Sequence, residues 1–207
     1  MKYCYKTRLC AFALFCLSAA VWAQDDENSD LPIQSNWNNE RSSIYSPGDK
    51  TFNISLGALF PLFFTGGSYN IIDNKINIGG TIAIAYNYFL DSKMFVGGDV
   101  QFSFSSTIGE HFLFVVPIAA RVGYQFVWRR FEFPLSAHLG VAPQLYSGYS
   151  LFGMFFKLQQ AAYFKFNPEW SFGLNGSFWW MPEWTKDPNK NAYGHFFELT
   201  ASARFHF

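Results

Sequence analysis

Residues 196–207 read FFELTASARFHF, and the alternation within them decides the fold. Phe197, Leu199, Ala201, Ala203, Phe205 and Phe207 form one series. Phe196, Glu198, Thr200, Ser202, Arg204 and His206 form the other. Successive side chains on a strand point to opposite faces, so the segment reads as a β-strand with one apolar and one mostly polar face. The apolar series runs unbroken to the C-terminal residue, where a soluble chain would usually fray into polar side chains.

Working back from that strand, the same period of two recurs. Seven further segments alternate: 51–60, 76–88, 94–105, 112–126, 131–145, 155–166 and 171–180, with 195–207 as the eighth. In 76–88, for example, Ile78, Ile82, Ile84, Tyr86 and Tyr88 share one face and Thr81 and Asn87 the other. Turn signals separate several segments, among them Asp91-Ser92-Lys93 and Asn167-Pro168-Glu169. Pro117, Pro134 and Pro143 fall within the fourth and fifth segments, where a missing N–H is hard to hide, and Pro117 predicts a bulge or that the strand emerges above the membrane there.

Composition explains what the alternation is for. Charged residues make up 14% of the 207 and aromatics 21%, whereas a soluble domain carries roughly 25% charge. A helical membrane protein would need runs of about 18 apolar residues, and none follows residue 23. Abundant apolar surface without a long apolar run fits strands that present one face to lipid and one to a closed interior. The expected fold is all-β, an eight-stranded antiparallel up-and-down transmembrane β-barrel over 50–207.

The N-terminal segment agrees. Lys2, Lys6 and Arg8 precede a short apolar stretch that ends in Val21-Trp22-Ala23, the pattern of a cleaved signal peptide over 1–23. Cys4, Cys10 and Cys16 all lie within it, so a mature chain holds no disulfide and no cysteine-bound metal. Three of the 15 basic residues lie there too, leaving 12 against 15 acidic ones. That balance excludes a nucleic-acid footprint. Residues 24–49 are acidic, rich in Asn and Ser, and lack periodicity, which predicts a disordered tail.

The terminal strand resembles the closing strand of bacterial outer-membrane β-barrels, through Thr200, Phe205 and Phe207, with Ser202 where glycine is commonest in that pattern. The chain as a whole is similar to the small eight-stranded group of OmpA, OmpX and OmpW type. The resemblance implies residence in the cell outer membrane and contact with its lipid. It also implies that the assembly machinery reads the last strand, and that the tail lies in the periplasm. Short connections after strands two, four and six then mark the periplasmic end.

Parity places charge in the lumen: Asp99, Glu132 and Glu198 with Arg121, Lys157, Lys165 and Arg204, and His138 nearby. An eight-stranded interior is just wide enough for side chains, so these residues predict ion pairs, with Asp99 level with Arg121 and Glu132 level with Lys165. Nearer the extracellular end Leu59, Val115, Phe155, Trp179 and Phe196 point inward. Leu62, Phe63, Phe64 and Trp184 are expected in loops above them. An apolar mouth of this kind resembles the OmpW type, which implies binding or passage of a small hydrophobic ligand. The alternative is a non-transporting surface protein serving adhesion, host interaction or envelope integrity. Neither reading involves a cofactor or a metal. Glu110, His111 and His195 at the rim form no Ser-His-acid arrangement that sequence can assign, so an enzyme is not expected.

Overall fold

The computed structural model describes residues 45–66, 69–72, 76–107, 112–146, 149–183 and 191–207. Ten strands occur among them: β1 (Lys50–Gly66), β2 (Tyr69–Ile72), β3 (Gly79–Phe89), β4 (Met94–Ser106), β5 (Phe112–Val115), β6 (Ile118–Trp128), β7 (Phe131–Tyr146), β8 (Tyr149–Lys165), β9 (Trp170–Glu183) and β10 (Ala192–His206). All pairings are antiparallel: β1 with β3, β3 with β4, β4 with β5 and β6, these two with β7, then β7 with β8, β8 with β9 and β9 with β10, and β10 returns to β1 from Thr51 opposite His206 to Thr65 opposite Tyr193. That seam closes the sheet into a barrel and leaves no open edge. β5 and β6 are two halves of one stave, and β2 is a short addition to the top of β1. The barrel therefore has eight staves, as the alternation predicts.

Burial alternates with the sequence. In β3 every second residue from Gly79 to Phe89 is buried while Ile82, Ile84, Tyr86 and Tyr88 face outward. The outer face carries Leu56, Phe102, Val122, Leu139, Leu158, Leu174 and Leu199, an apolar band that only hydrocarbon can cover. Tyr88, Tyr124, Trp128, Phe166, Trp170 and Phe207 ring the end that holds both termini of the barrel. Such rings suit headgroup depth. Gln160, the one polar residue placed on the lipid side by parity, is half-buried between Leu135 and Gly176 on the neighbouring strands.

Several expectations change. Pro117 makes no bulge, and it falls in the two-residue break between β5 and β6. Ser103 pairs with Val115 and Val100 with Ile118, so the register passes through it unaltered. The carbonyl of Pro117 still accepts from Gln101 N, and Val116 N still donates to Pro143 O. The sheet forgoes one bond and keeps its alignment. The shift lies instead at 61–63, where Pro61 faces Phe196 and Phe63 faces His195. That bulge reverses parity, so Phe63 packs on the outer His195 while Phe64 turns inward against Phe196. Leu62, Phe63 and Phe64 are thus strand residues, not loop. β7 and β8 also continue further than predicted, so only 147–148 separate them.

The end of the predicted tail is ordered as well. Ser46 to Asp49 form a turn, with Gly48 at φ 99°, a conformation that favours glycine. Gly48 N donates to Phe89 O and Ser46 N to the Asp49 carboxylate. Tyr45 is buried. Residues 1–44, with the predicted signal peptide and most of the tail, lie outside the described residues. So do Glu110, His111 and Trp184.

Candidate functional site: the lumen

Three layers fill the barrel interior. The lowest is built on Glu132 at the start of β7. Its Oε2 accepts from Gln125 Nε2 at 2.9 Å, Arg204 Nη1 at 3.1 Å and the hydroxyl of Tyr45 at 2.9 Å. Arg204 also donates to Asn53 and Gln125, and its guanidinium lies 3.9 Å from the ring centre of Tyr163. Gly173 makes that stacking possible, since a Cβ there would run into the backbone and ring of Tyr163. Lys165 is half-buried at the rim. The residue level with Glu132 is Tyr163, which corrects the predicted alignment of Glu132 with Lys165. Glu132 and Arg204 meet across the lumen, an encounter that counting along adjacent strands does not reach.

The middle layer holds Asp99, Arg121, His138, Lys157 and Glu198, all buried. Asp99 lies level with Ala119, two residues from the predicted partner Arg121. Its Oδ1 is 2.7 Å from His138 Nδ1, and its Oδ2 is 3.7 Å from Lys157 Nζ. Lys157 lies 3.8 Å from Glu198 and donates to Gln101 Oε1 at 3.0 Å. Gln101 in turn donates to Glu198 and Thr81. Across both layers three buried carboxylates face three buried cations, the balance that buried charge requires.

Within this layer His138 Nε2 is 3.0 Å from Ser136 Oγ, giving a Ser136–His138–Asp99 chain that the sequence reading did not find. A carboxylate can only accept, so Nδ1 carries a proton toward Asp99, and when the ring is neutral Nε2 accepts from Ser136. The connectivity is that of a nucleophilic triad, but the surroundings are not. Ser136 is buried, accepts a further bond from Arg121 at 3.3 Å and faces Gly123, which is covered by the ring of Phe95. A cavity of about 10 Å³ touches Asp99, Arg121, His138 and Lys157. That is the room one water needs, and far less than an acyl substrate would. The signal was available: Ser136 and His138 share a face two residues apart. Asp99, however, reaches them only through the lumen.

The upper layer is apolar. Leu59, Val115, Phe155, Trp179 and Phe196 come together as the sequence predicts, joined by Ala119, Ala142 and Met181. Phe155 meets Trp179 edge to face at 5.0 Å, and both are 0% exposed. The mouth is thus occupied by its own side chains. Phe64 and Leu113 cover the cluster as partly buried residues. Trp179 ties this layer to the charges below: its Nε1 donates to Glu198 Oε2 at 2.8 Å, an oxygen that also accepts from Ser177, and Lys157 Nζ lies 5.8 Å from its ring centre. Of the strand-end residues, Thr200 lies inward and accepts from Asn175. Phe205 and Phe207 stack on the outer face beside Trp170 and Tyr86, and Phe207 exchanges backbone bonds with Lys50 at the seam.

Below the lowest layer Tyr45, Phe89 and Phe95 form a second apolar cluster, with Val127 packed against it. Tyr45 stacks on Phe89 at 3.8 Å with 7° between the rings, and its oxygen is also 3.2 Å from His206 Nδ1. Burial pushes its phenol above the ordinary range, Arg204 pulling the other way, so it stays a neutral donor.

Comparisons with known proteins place this geometry. A protein-family model matches residues 25–205. By sequence the chain is 26% identical over 171 residues to an uncharacterized protein of Treponema pallidum (strain Nichols), covering 78% of each. By structure it is similar to Neisserial surface protein A, at TM-score 0.55 and 14% identity, over 77% of this chain and 97% of that one. It is also similar to the outer membrane protein OprG of Pseudomonas aeruginosa, at TM-score 0.51 and 8% identity, over 79% and 97%. The shared fold and the apolar outer band make it a transmembrane β-barrel of the bacterial outer membrane.

Proposed function

From a chain that belongs to the family whose model spans residues 25–205, we propose a closed, non-conducting outer-membrane protein that serves at the cell surface or in envelope integrity. The observation that carries this reading is a lumen filled at both ends. Phe155 and Trp179 pack above, Tyr45 packs on Phe89 below, and paired charges lie between. An ion entering from either side would have to displace a packed aromatic layer and then break buried ion pairs, which costs several kcal/mol each. The Ser136–His138–Asp99 chain fits this role as a scaffold that, with Arg121 and Lys157, holds four strands together, since the small cavity beside it leaves no room for a substrate.

A second reading keeps the binding of a small hydrophobic molecule at the extracellular end. It is favoured by the gathering of all five inward apolar residues there, with Phe64 and Leu113 half-buried over them. On this reading the ligand takes the place of part of the cluster rather than entering an open mouth.

Single-channel recording in planar bilayers separates conduction from closure. The wild-type barrel is expected to give no discrete current steps, and regular steps would overturn the closed reading. In nanodiscs, saturable quenching of Trp179 by a brominated hydrocarbon, lost in Trp179→Phe, would favour the second reading over the first.

A further inference from the structure

The lower aromatic cluster has a feature that the rest of the lumen lacks. All its other members sit on strands held in the sheet by continuous backbone pairing: Phe89 on β3, Phe95 on β4, Val127 on β6. Tyr45 does not. It precedes β1 and has no strand partner, and the turn from Ser46 to Asp49 brings it back under the barrel through Gly48 N to Phe89 O and Phe89 N to Asp49 O. Yet it is only 5% exposed.

The groups that receive it have a definite chemistry. The flat ring of Phe89 lies parallel to the incoming ring, and Phe95 and Val127 close the apolar walls. At the far end Glu132 Oε2 accepts from the hydroxyl, and His206 Nδ1 lies within reach of the same oxygen. An apolar slot one ring thick, ending in a carboxylate and an imidazole, fits an aryl alcohol. A plain hydrocarbon would leave Glu132 short of one donor, and an aryl carboxylate would be repelled by it.

We propose that the periplasmic mouth of this barrel is an aryl-alcohol binding site which the chain occupies with its own Tyr45, as a latch that can be withdrawn. Withdrawal frees Glu132 Oε2 and His206 Nδ1 and releases the His206 ring, whose Nε2 lies 2.8 Å from the Ser171 hydroxyl, so that Ser171 becomes reachable when the ring moves. It does not open a channel, because the middle and upper layers stay packed. The latch touches the charged layer of the lumen through Glu132, so its withdrawal would wet Glu132 and Arg204 without unfolding the barrel. Elements held by few contacts open locally at less than the cost of global unfolding.

The test uses the full-length chain with Cys4, Cys10 and Cys16 changed to Ala, which leaves no native thiol, and Ser171→Cys as the reporter in nanodiscs. A membrane-impermeant maleimide should label this site slowly. Adding Tyr45→Ala should speed labelling by about ten-fold or more, since labelling follows the open population. Free p-cresol should then restore slow labelling to Tyr45→Ala, and toluene should protect less. Tyr45→Phe, which keeps the ring and loses both polar contacts, should fall between wild type and Tyr45→Ala. If Tyr45→Ala does not fold, as read by loss of heat-modifiable migration, Tyr45→Phe carries the test: an unchanged rate overturns the latch. If Tyr45→Ala folds and labels no faster, the latch is likewise overturned. If toluene protects as well as p-cresol, the slot is an apolar filler and the aryl-alcohol site is overturned. None of these outcomes depends on whether the barrel conducts.

Discussion

The upper layer of the lumen and the charged layers beneath it are filled by opposite means. The upper layer is packed by side chains that need nothing but contact: Leu59, Val115, Phe155, Met181 and Phe196 around Trp179. Below it lie charges that depend on particular partners: Glu132 on Arg204, Lys157 on Glu198 and Asp99, His138 on Asp99. An apolar layer tolerates exchange of one hydrocarbon for another of similar volume, whereas a charged layer tolerates almost none, because removing one partner strands the other in a low-dielectric interior. The difference also separates the jobs the two regions can do. The upper layer can trade its own atoms for an apolar guest, and the lower layers can only hold or break.

Glu198 is where that contrast is steepest. Its two oxygens accept from Gln101, Ser177 and Trp179, and Lys157 lies against it. Glu198→Ala leaves three donors and a buried ammonium short of a partner. Loss of about 3–5 kcal/mol in a urea folding titration into lipid vesicles is expected. Phe155→Leu, in the layer above, should cost clearly less, because it exchanges one apolar side chain for a smaller one. Equal losses would mean that the middle layer is wetter, or the upper layer stiffer, than its contacts imply.

A smaller effect tests inside against outside. Ile82 and Ala83 are adjacent in β3 and face opposite ways, Ile82 outward and Ala83 into the lumen beside the cavity near Asp99. Ile82→Arg should cost about 2–4 kcal/mol, as expected for a cation on the lipid face near mid-depth. Ala83→Ser adds one hydroxyl among polar neighbours and should cost well under half of that. If the two substitutions are tolerated equally in the same titration, the outer face does not meet hydrocarbon at that level.

How much of this was legible in the sequence follows from what period two can and cannot carry. It gives the face of each residue, so all eight staves follow from alternation, as does the inward placement of Leu59, Val115, Phe155, Trp179 and Phe196 and of Asp99, Arg121, Glu132, Lys157, Glu198 and Arg204. Partner choice needs distances across the lumen, and sequence separation does not encode them. Arg204 therefore finds Glu132, and Asp99 finds His138, against the expectation from adjacent strands. Whether the apolar mouth is open depends on side-chain volume set against barrel width, a sum no alternation contains. Tyr45 was hidden for a different reason. A single aromatic in a polar, aperiodic stretch gives no pattern, and only the turn at Gly48 returns it to the barrel. Pro117 misled because proline removes one donor without requiring a change of register, and its neighbours' bonds persist.

The smallest predicted effect concerns the hydrogen bond that joins the two kinds of filling. Trp179 belongs to the apolar layer by its packing, while its indole N–H reaches down to Glu198 and Lys157 Nζ lies 5.8 Å from its ring centre. Trp179→Phe keeps a ring in place and removes that donor, so it should cost about 1.5–3 kcal/mol, the range for a hydrogen bond to a charged group. Much of that loss should vanish in the background of Glu198→Gln, whose neutral amide holds no charge for the indole to satisfy. A double-mutant cycle read by urea titration should therefore show coupling of about 1 kcal/mol between positions 179 and 198. Additive losses would mean that the indole is held by packing alone. The two layers would then be energetically separate, and a guest could displace the upper one without disturbing the charges beneath it.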